Sequence, residues 1–172
     1  MRKLTILFIL FSAAAVAISQ EMPKTAAPPS DAKIAFAKLQ TMSGSWQGAI
    51  MGLPITITIR PASSGTAIIY EANTEKGSTP SHEITVFYVE EDRLIATHYC
   101  DAGNRVRMQG KMSPDGKAIE FSLLDVSGST KGGLVKRMLF TLNDVNKHLE
   151  EFTFVMPNGK PIELRGEFQL AK

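Results

Sequence analysis

From Ser45 onward, apolar and polar residues alternate with a period of two, and short turn signals break the alternation at even intervals. Successive side chains of a β-strand point to opposite faces, so this pattern restricts the chain to half-buried strands. Ile55, Ile57 and Ile59 alternate with Thr56, Thr58 and Arg60. Val106, Met108, Gly110 and Met112 alternate with Arg105, Arg107, Gln109 and Lys111. Near the end, Ile162, Leu164, Gly166, Phe168 and Leu170 alternate with Glu163, Arg165, Glu167 and Gln169.

Other strand candidates are Thr66–Asn73, Glu83–Glu90, Arg93–Cys100, Ala118–Asp125, Leu134–Leu142 and His148–Met156, with a short strand around Trp46. Turn residues separate them: Glu91-Asp92, Asp101-Ala102-Gly103, Pro114-Asp115-Gly116, Asp144-Val145-Asn146 and Pro157-Asn158-Gly159. The total is about ten strands in an antiparallel meander. A sheet of that width with one apolar face would expose long edges, and closure removes them. A two-sheet sandwich satisfies the same alternation, but the run of short turns favours a closed, all-β, up-and-down barrel. The longest connection, Val126 to Gly133, is small, polar and glycine-rich and reads as a mobile loop at one mouth.

Ahead of the strands lie three other segments. Met1, Arg2 and Lys3, an apolar run from Leu4 to Phe11 and small residues from Ser12 to Ala17 have the form of a secretory signal peptide. The run is well short of the roughly 20 residues a membrane span needs. Cleavage is expected after Ser19, with Ala17 as a competing site and an uncleaved anchor as the rival reading. The only cysteine, Cys100, is far from this exit, so no lipid anchor is expected. Residues 20–30 contain three prolines and read as a flexible tether. Asp31 to Met42 reads as a short helix capped by Ser30 or Asp31, with Ile34, Phe36, Leu39 and Met42 as its apolar face and Gly44 as its stop. The barrel domain is thus expected over 31–172.

The leader takes Arg2 and Lys3 and no acid out of 19 Lys+Arg and 17 Asp+Glu, leaving 17 of each. A neutral domain has no global field for nucleic acid or anionic membrane. Lys131, Lys136 and Arg137 form a basic group too small to change that. One cysteine forms no internal disulfide, so the core alone holds the domain. Cys100 reads as a small buried hydrophobe in preference to a reactive thiol.

Three histidines, His82, His98 and His148, invite a search for chemistry. His98 and Cys100 share a face with Leu94 and Ala96, so both are expected to point inward. Two residues along a strand place them roughly 7 Å apart, beyond direct hydrogen-bond reach. A metal would need further ligands from neighbouring strands, and His82 with Glu83 is a possible source. The favoured role for His98 is structural or ligand-orienting, with no metal, cofactor or catalytic residue expected. Glu90, Glu91 and Asp92 sit in a turn and Glu150 and Glu151 alternate across a strand, which reads as solvated surface. Gly128 to Gly133 lacks the spacing of a phosphate loop and any helix after it. Met108, Met112, Met138 and Met156 with Phe121, Phe140, Phe152 and Phe154 could line an apolar cavity or fill the barrel as an ordinary core. The barrel's width favours a cavity, with His98, Cys100 and Tyr70 or Tyr99 as its polar set.

The stretch Leu39-Gln40-Thr41-Met42-Ser43-Gly44-Ser45-Trp46-Gln47-Gly48 runs from a helix into Gly-x-Trp-x-Gly. This resembles the opening of the calycin group, which includes lipocalins and nitrobindin-like barrels. The resemblance implies that Trp46, between Gly44 and Gly48, begins the first strand and packs across the closed end. Thr97-His98-Tyr99-Cys100-Asp101-Ala102-Gly103-Asn104-Arg105 resembles a segment of small secreted bacterial proteins of the DUF1579 or lipocalin-like type. The resemblance spans about Phe36 to Leu170 and implies a ligand held inside a barrel. Nitrobindin-like barrels hold haem through a histidine near their C-terminal strands; Pro161 to Leu170 has none, so haem does not carry over.

The leading expectation is an exported, non-catalytic binder of a small, mostly apolar molecule. Its contact residues would be His98, Cys100, Tyr70, Tyr99, Met108 and Met112, and no nucleic acid or stable membrane anchor is expected. A structural or envelope-interaction protein with a filled barrel, and an enzyme using His98, are the alternatives.

Overall fold

The computed structural model describes residues 28–74, 80–142 and 144–172. The expected signal peptide and most of the tether fall outside them. Helix α1 (Asp31–Gln40) precedes ten strands: β1 (Gly44–Ile50), β2 (Leu53–Ala62), β3 (Ala67–Thr74), β4 (Ser81–Glu90), β5 (Arg93–Cys100), β6 (Asn104–Met112), β7 (Ala118–Gly128), β8 (Leu134–Thr141), β9 (Lys147–Val155) and β10 (Pro161–Leu170). Every strand pairs antiparallel with its sequence neighbour, and β1 pairs with β10 to close the barrel. The closing seam runs from Trp46 opposite Leu170 to Ile50 opposite Gly166. Closure satisfies the backbone groups that a flat sheet of this width would leave at its edges.

Three local expectations are corrected. Strand β7 continues through Val126 to Gly128, so the connection to β8 begins only at Ser129. Asn104 pins that connection by donating through Nδ2 to Ser129 O (3.0 Å) and Gly133 O (2.8 Å). Helix α1 ends at Gln40 and buries Ala32, Ala35, Phe36 and Leu39, while Ile34 faces out. Ser30 stands at the N-cap position, but its hydroxyl makes no capping bond. The small Ala32 and Ala35 let the helix lie close over one end, where Gln40 Nε2 donates to Gly65 O across the β2–β3 turn.

The helix-covered end is filled. Phe87, Phe121, Phe140 and Phe168 are buried with Ile119, Met108 and Leu94. The rings of Phe87, Phe121 and Phe140 meet at centroid distances of 5.2–6.0 Å, mostly edge to face. Trp46 is buried in β1 at this end, and its indole Nε1 donates to Met42 O at 2.8 Å, tying helix to barrel. The flanking glycines have steric reasons to be glycine. Gly44 sits at φ +148°, and a Cβ on Gly48 would lie 2.3 Å from Glu167 O and 2.5 Å from Phe168 Cδ1.

Candidate functional site

The opposite end is hollow. A cavity of about 300 Å³ is bounded there by Ile50, Ile55, Ala72, Val135, Met138, Phe140, Phe152, Phe154 and Leu164. Its polar lining is Tyr70, Glu83, Thr85 and His98. Each residue arrives by strand alternation. On β3, Tyr70 and Ala72 point inward; on β4, Glu83 and Thr85; on β9, Phe152 and Phe154. The β3–β4–β5 register sets Thr85 between Tyr70 and His98, and Ile84 opposite Tyr99. Glu83 therefore lies beside Cys100.

Along one wall these groups form a connected polar set. His98 Nδ1 and Thr85 Oγ1 are 2.9 Å apart, while buried His98 Nε2 has no hydrogen-bond partner among the described residues. That nitrogen faces Glu83 Oε2 at 3.7 Å. Glu83 Oε1 accepts from the Cys100 thiol (3.2 Å) and from Asp101 N–H (3.3 Å). Cys100 Sγ also accepts from Ala102 N–H at 3.4 Å. Burial holds the His98 imidazole below its ordinary pKa, against the opposing pull of Glu83 and Asp101. Burial, and then the adjacent Glu83 charge, pushes the Cys100 thiol up to about 12. The wall thus presents a neutral imidazole and a protonated thiol next to a carboxyl group.

A second polar chain starts at the cavity floor and runs toward the filled end. Tyr70 Oη donates to Glu150 Oε2 at 2.7 Å, and Glu150 Oε1 lies 2.8 Å from His148 Nε2. His148 then meets Trp46 edge-on at 4.4 Å and stacks on Phe168 at 5.4 Å. Burial, and then Glu150, raises the Tyr70 phenol well above its ordinary pKa.

Of the six expected ligand contacts, Tyr70 and His98 line the cavity. Cys100 stands half-buried at the rim, bonded to a carboxyl group rather than sunk among apolar side chains. Tyr99 is 49 % exposed, because its neighbours His98 and Cys100 take the inward face. Met108 belongs to the filled end, packed one ladder step deeper, opposite Ala96. Met112 lies half-buried at the helix-covered end beside Ala32 and Ala35. His82, the other suggested ligand source, is on the outer face near Glu71.

The reading of Glu150 as solvated surface is overturned: it is 0 % exposed. The signal was present in the period. Phe152 and Phe154 point inward, and the same alternation carries Glu150 and His148 to that side. Thr85 was missed as well, since a lone threonine in a strand carries no chemical signal of its own.

No family model matches this chain, and no curated protein matches it. Among solved structures it is similar to Rv2717c from M. tuberculosis, with a TM-score of 0.63 at 13 % identity over 80 % of this chain and 98 % of that one. A putative outer membrane protein from Bacteroides fragilis aligns at a TM-score of 0.15 and 12 % identity, too low to carry an argument. At 13 % identity, the likeness to Rv2717c is one of fold alone: a closed ten-strand antiparallel barrel.

Proposed function

We propose that this chain is an exported, non-catalytic binder of a small, mostly apolar molecule held in the open end of the barrel. The observation that carries this reading is the cavity, about 300 Å³ and walled largely by Ile, Val, Met, Phe and Leu side chains. Ligand sites combine an apolar lining with a few convergent polar groups, and this volume is at the small end of their range. It is about twice the ~150 Å³ that holds a benzene-sized guest, which favours a ligand of one or two rings or a short alkyl chain. Its polar tip is directed to His98 and Tyr70, so contact at the wall orients the molecule. The leader-like N-terminal segment supports export.

Native mass spectrometry of protein purified from its own host, with titration by the apolar dye N-phenyl-1-naphthylamine, tests this. A discrete adduct lost on denaturation is expected. Dye fluorescence should rise on binding, and Ala72→Phe, which fills the cavity from β3, should abolish that rise while leaving the fold intact. A bare mass together with dye binding unaffected by Ala72→Phe would overturn the proposal and favour a filled structural barrel.

A further inference from the structure

We propose that Glu83, His98 and Cys100 form a three-ligand site for one zinc ion at the rim of the barrel, with the fourth coordination position open toward the cavity. Among the described residues, the ligand atoms of these three side chains lie within 4.8 Å of one another. In tetrahedral zinc coordination, bond lengths of about 2.0–2.3 Å put neighbouring donor atoms roughly 3.4–3.6 Å apart. The Glu83 carboxylate reaches the thiol through Oε1 at 3.2 Å and the imidazole through Oε2 at 3.7 Å, so a rotation of the carboxylate is needed to offer one oxygen to both. The donor separations, all within 4.8 Å, exceed the tetrahedral spacing by no more than about 1.4 Å, a distance that side-chain rotation can close.

The second, independent observation is His98 Nε2. It is buried, it has no hydrogen-bond partner among the described residues, and it faces Glu83 across a gap too wide for a hydrogen bond. An orphaned buried nitrogen costs about 1–3 kcal/mol unless something satisfies it. Its ring partner is already arranged for metal binding. Thr85 Oγ1, 2.9 Å from Nδ1, can accept from Nδ1–H and leave the Nε2 lone pair free. Metal-bound histidines are held in this way by a hydrogen bond at the other nitrogen. Asp101 N–H and Ala102 N–H already donate to Glu83 Oε1 and Cys100 Sγ, so the other two donors are also held in place.

The donor set selects the metal class. One thiolate, one imidazole and one carboxylate suit zinc and disfavour calcium and magnesium, which take oxygen ligands. On binding, Sγ gives its proton to solvent and the sulfur lone pair forms the bond to zinc, with one proton released per ion and no change of oxidation state. A three-ligand site leaves zinc one position for water or a ligand atom. Because Glu83 and His98 line the cavity, that position faces its interior. The inference deepens the binding reading only in what occupies this position: a ligand with a donor atom, such as a carboxylate or thiol, anchored on zinc with its apolar part in the cavity.

The test uses the full chain, stripped with a chelator and titrated with cobalt(II) and then zinc(II) alone. One equivalent of cobalt should give a thiolate-to-metal charge-transfer band and strong tetrahedral visible bands, and zinc should displace both. Cys100→Ser should remove the charge-transfer band. His98→Gln, Glu83→Gln and the positioning variant Thr85→Val should each weaken binding by roughly tenfold or more. Circular dichroism establishes that each variant is folded, and Cys100→Ser is conservative enough to serve if the others unfold. Absence of a charge-transfer band at one equivalent, or unchanged zinc affinity in Cys100→Ser, would overturn the site. Dye binding by the metal-free protein is read separately. Metal uptake without dye binding would sink the apolar-ligand reading alone, and the reverse would sink the zinc site alone.

Discussion

Glu150→Leu tests the buried chain that links the cavity floor to the filled end. Leucine exceeds glutamate by about one methylene in volume, so the change removes the polar atoms without opening a void. Glu150 is fully buried, accepts from Tyr70 at 2.7 Å and lies 2.8 Å from His148 Nε2. Its loss leaves a buried hydroxyl and a buried ring nitrogen unpaired, each costing about 1–3 kcal/mol. Relief from burying the carboxyl offsets part of this, which places the net cost near 3 kcal/mol, at the low end of the ~3–5 kcal/mol for breaking a buried pair. Tyr70→Phe alone removes one hydrogen bond to the carboxyl, about 1.5–2 kcal/mol, and leaves Glu150 facing His148. With both changes the tyrosine hydroxyl is no longer orphaned, so the double variant should be more stable than the summed single costs imply, by about 1–3 kcal/mol. The assay is urea unfolding followed by the fluorescence of Trp46, the sole tryptophan, whose indole lies 4.4 Å from His148. Equal m-values across the set would show that the denatured state is unchanged. A Glu150→Leu cost below about 0.5 kcal/mol, or additivity within that margin, would refute the chain as an energetic unit.

Gly48→Ala should destabilise the barrel by about 1–3 kcal/mol, because its Cβ would meet backbone at Glu167 O; thermal unfolding measures this. Burial and Glu150 raise the Tyr70 phenol, so the folded state keeps a proton that the unfolded chain releases above about pH 10. The associated stability is complete below that pH and is lost as pH rises beyond it; urea unfolding at pH 9 and 11 should show a smaller alkaline loss in Tyr70→Phe. Asp115 is held below its ordinary pKa by the Ser113 hydroxyl (2.6 Å) and then by Lys117 N–H. Its stabilisation is present above the unfolded carboxyl value and fades as pH falls through the folded one, and Ser113→Ala should raise the Asp115 midpoint in an NMR titration. Asn104→Ala removes both ties to the β7–β8 connection, so amide exchange should quicken at Ser129 to Gly133 while the strands stay protected.

Alternation and turn chemistry determined much of this protein from sequence alone. The apolar stripe Ile162-Leu164-Gly166-Phe168-Leu170 is the inner face of β10, and the two-residue spacing of His98 and Cys100 put both on the inner side of β5. Those inferences are local, because a strand's period is a property of its own backbone. Tertiary structure decided how far inside each residue sits and what it meets. Met108 and His98 both point inward from neighbouring strands, yet one is packed in the filled end and the other lines the cavity. The barrel passes from helix-plugged to hollow along an axis that no single strand records. Glu83 joins His98 and Cys100 only through the β4–β5 register, and Glu150 meets Tyr70 across the barrel from 80 positions away. A charged residue in an alternating strand reads as surface until closure supplies a partner on the opposite wall, because only that partner makes its burial affordable.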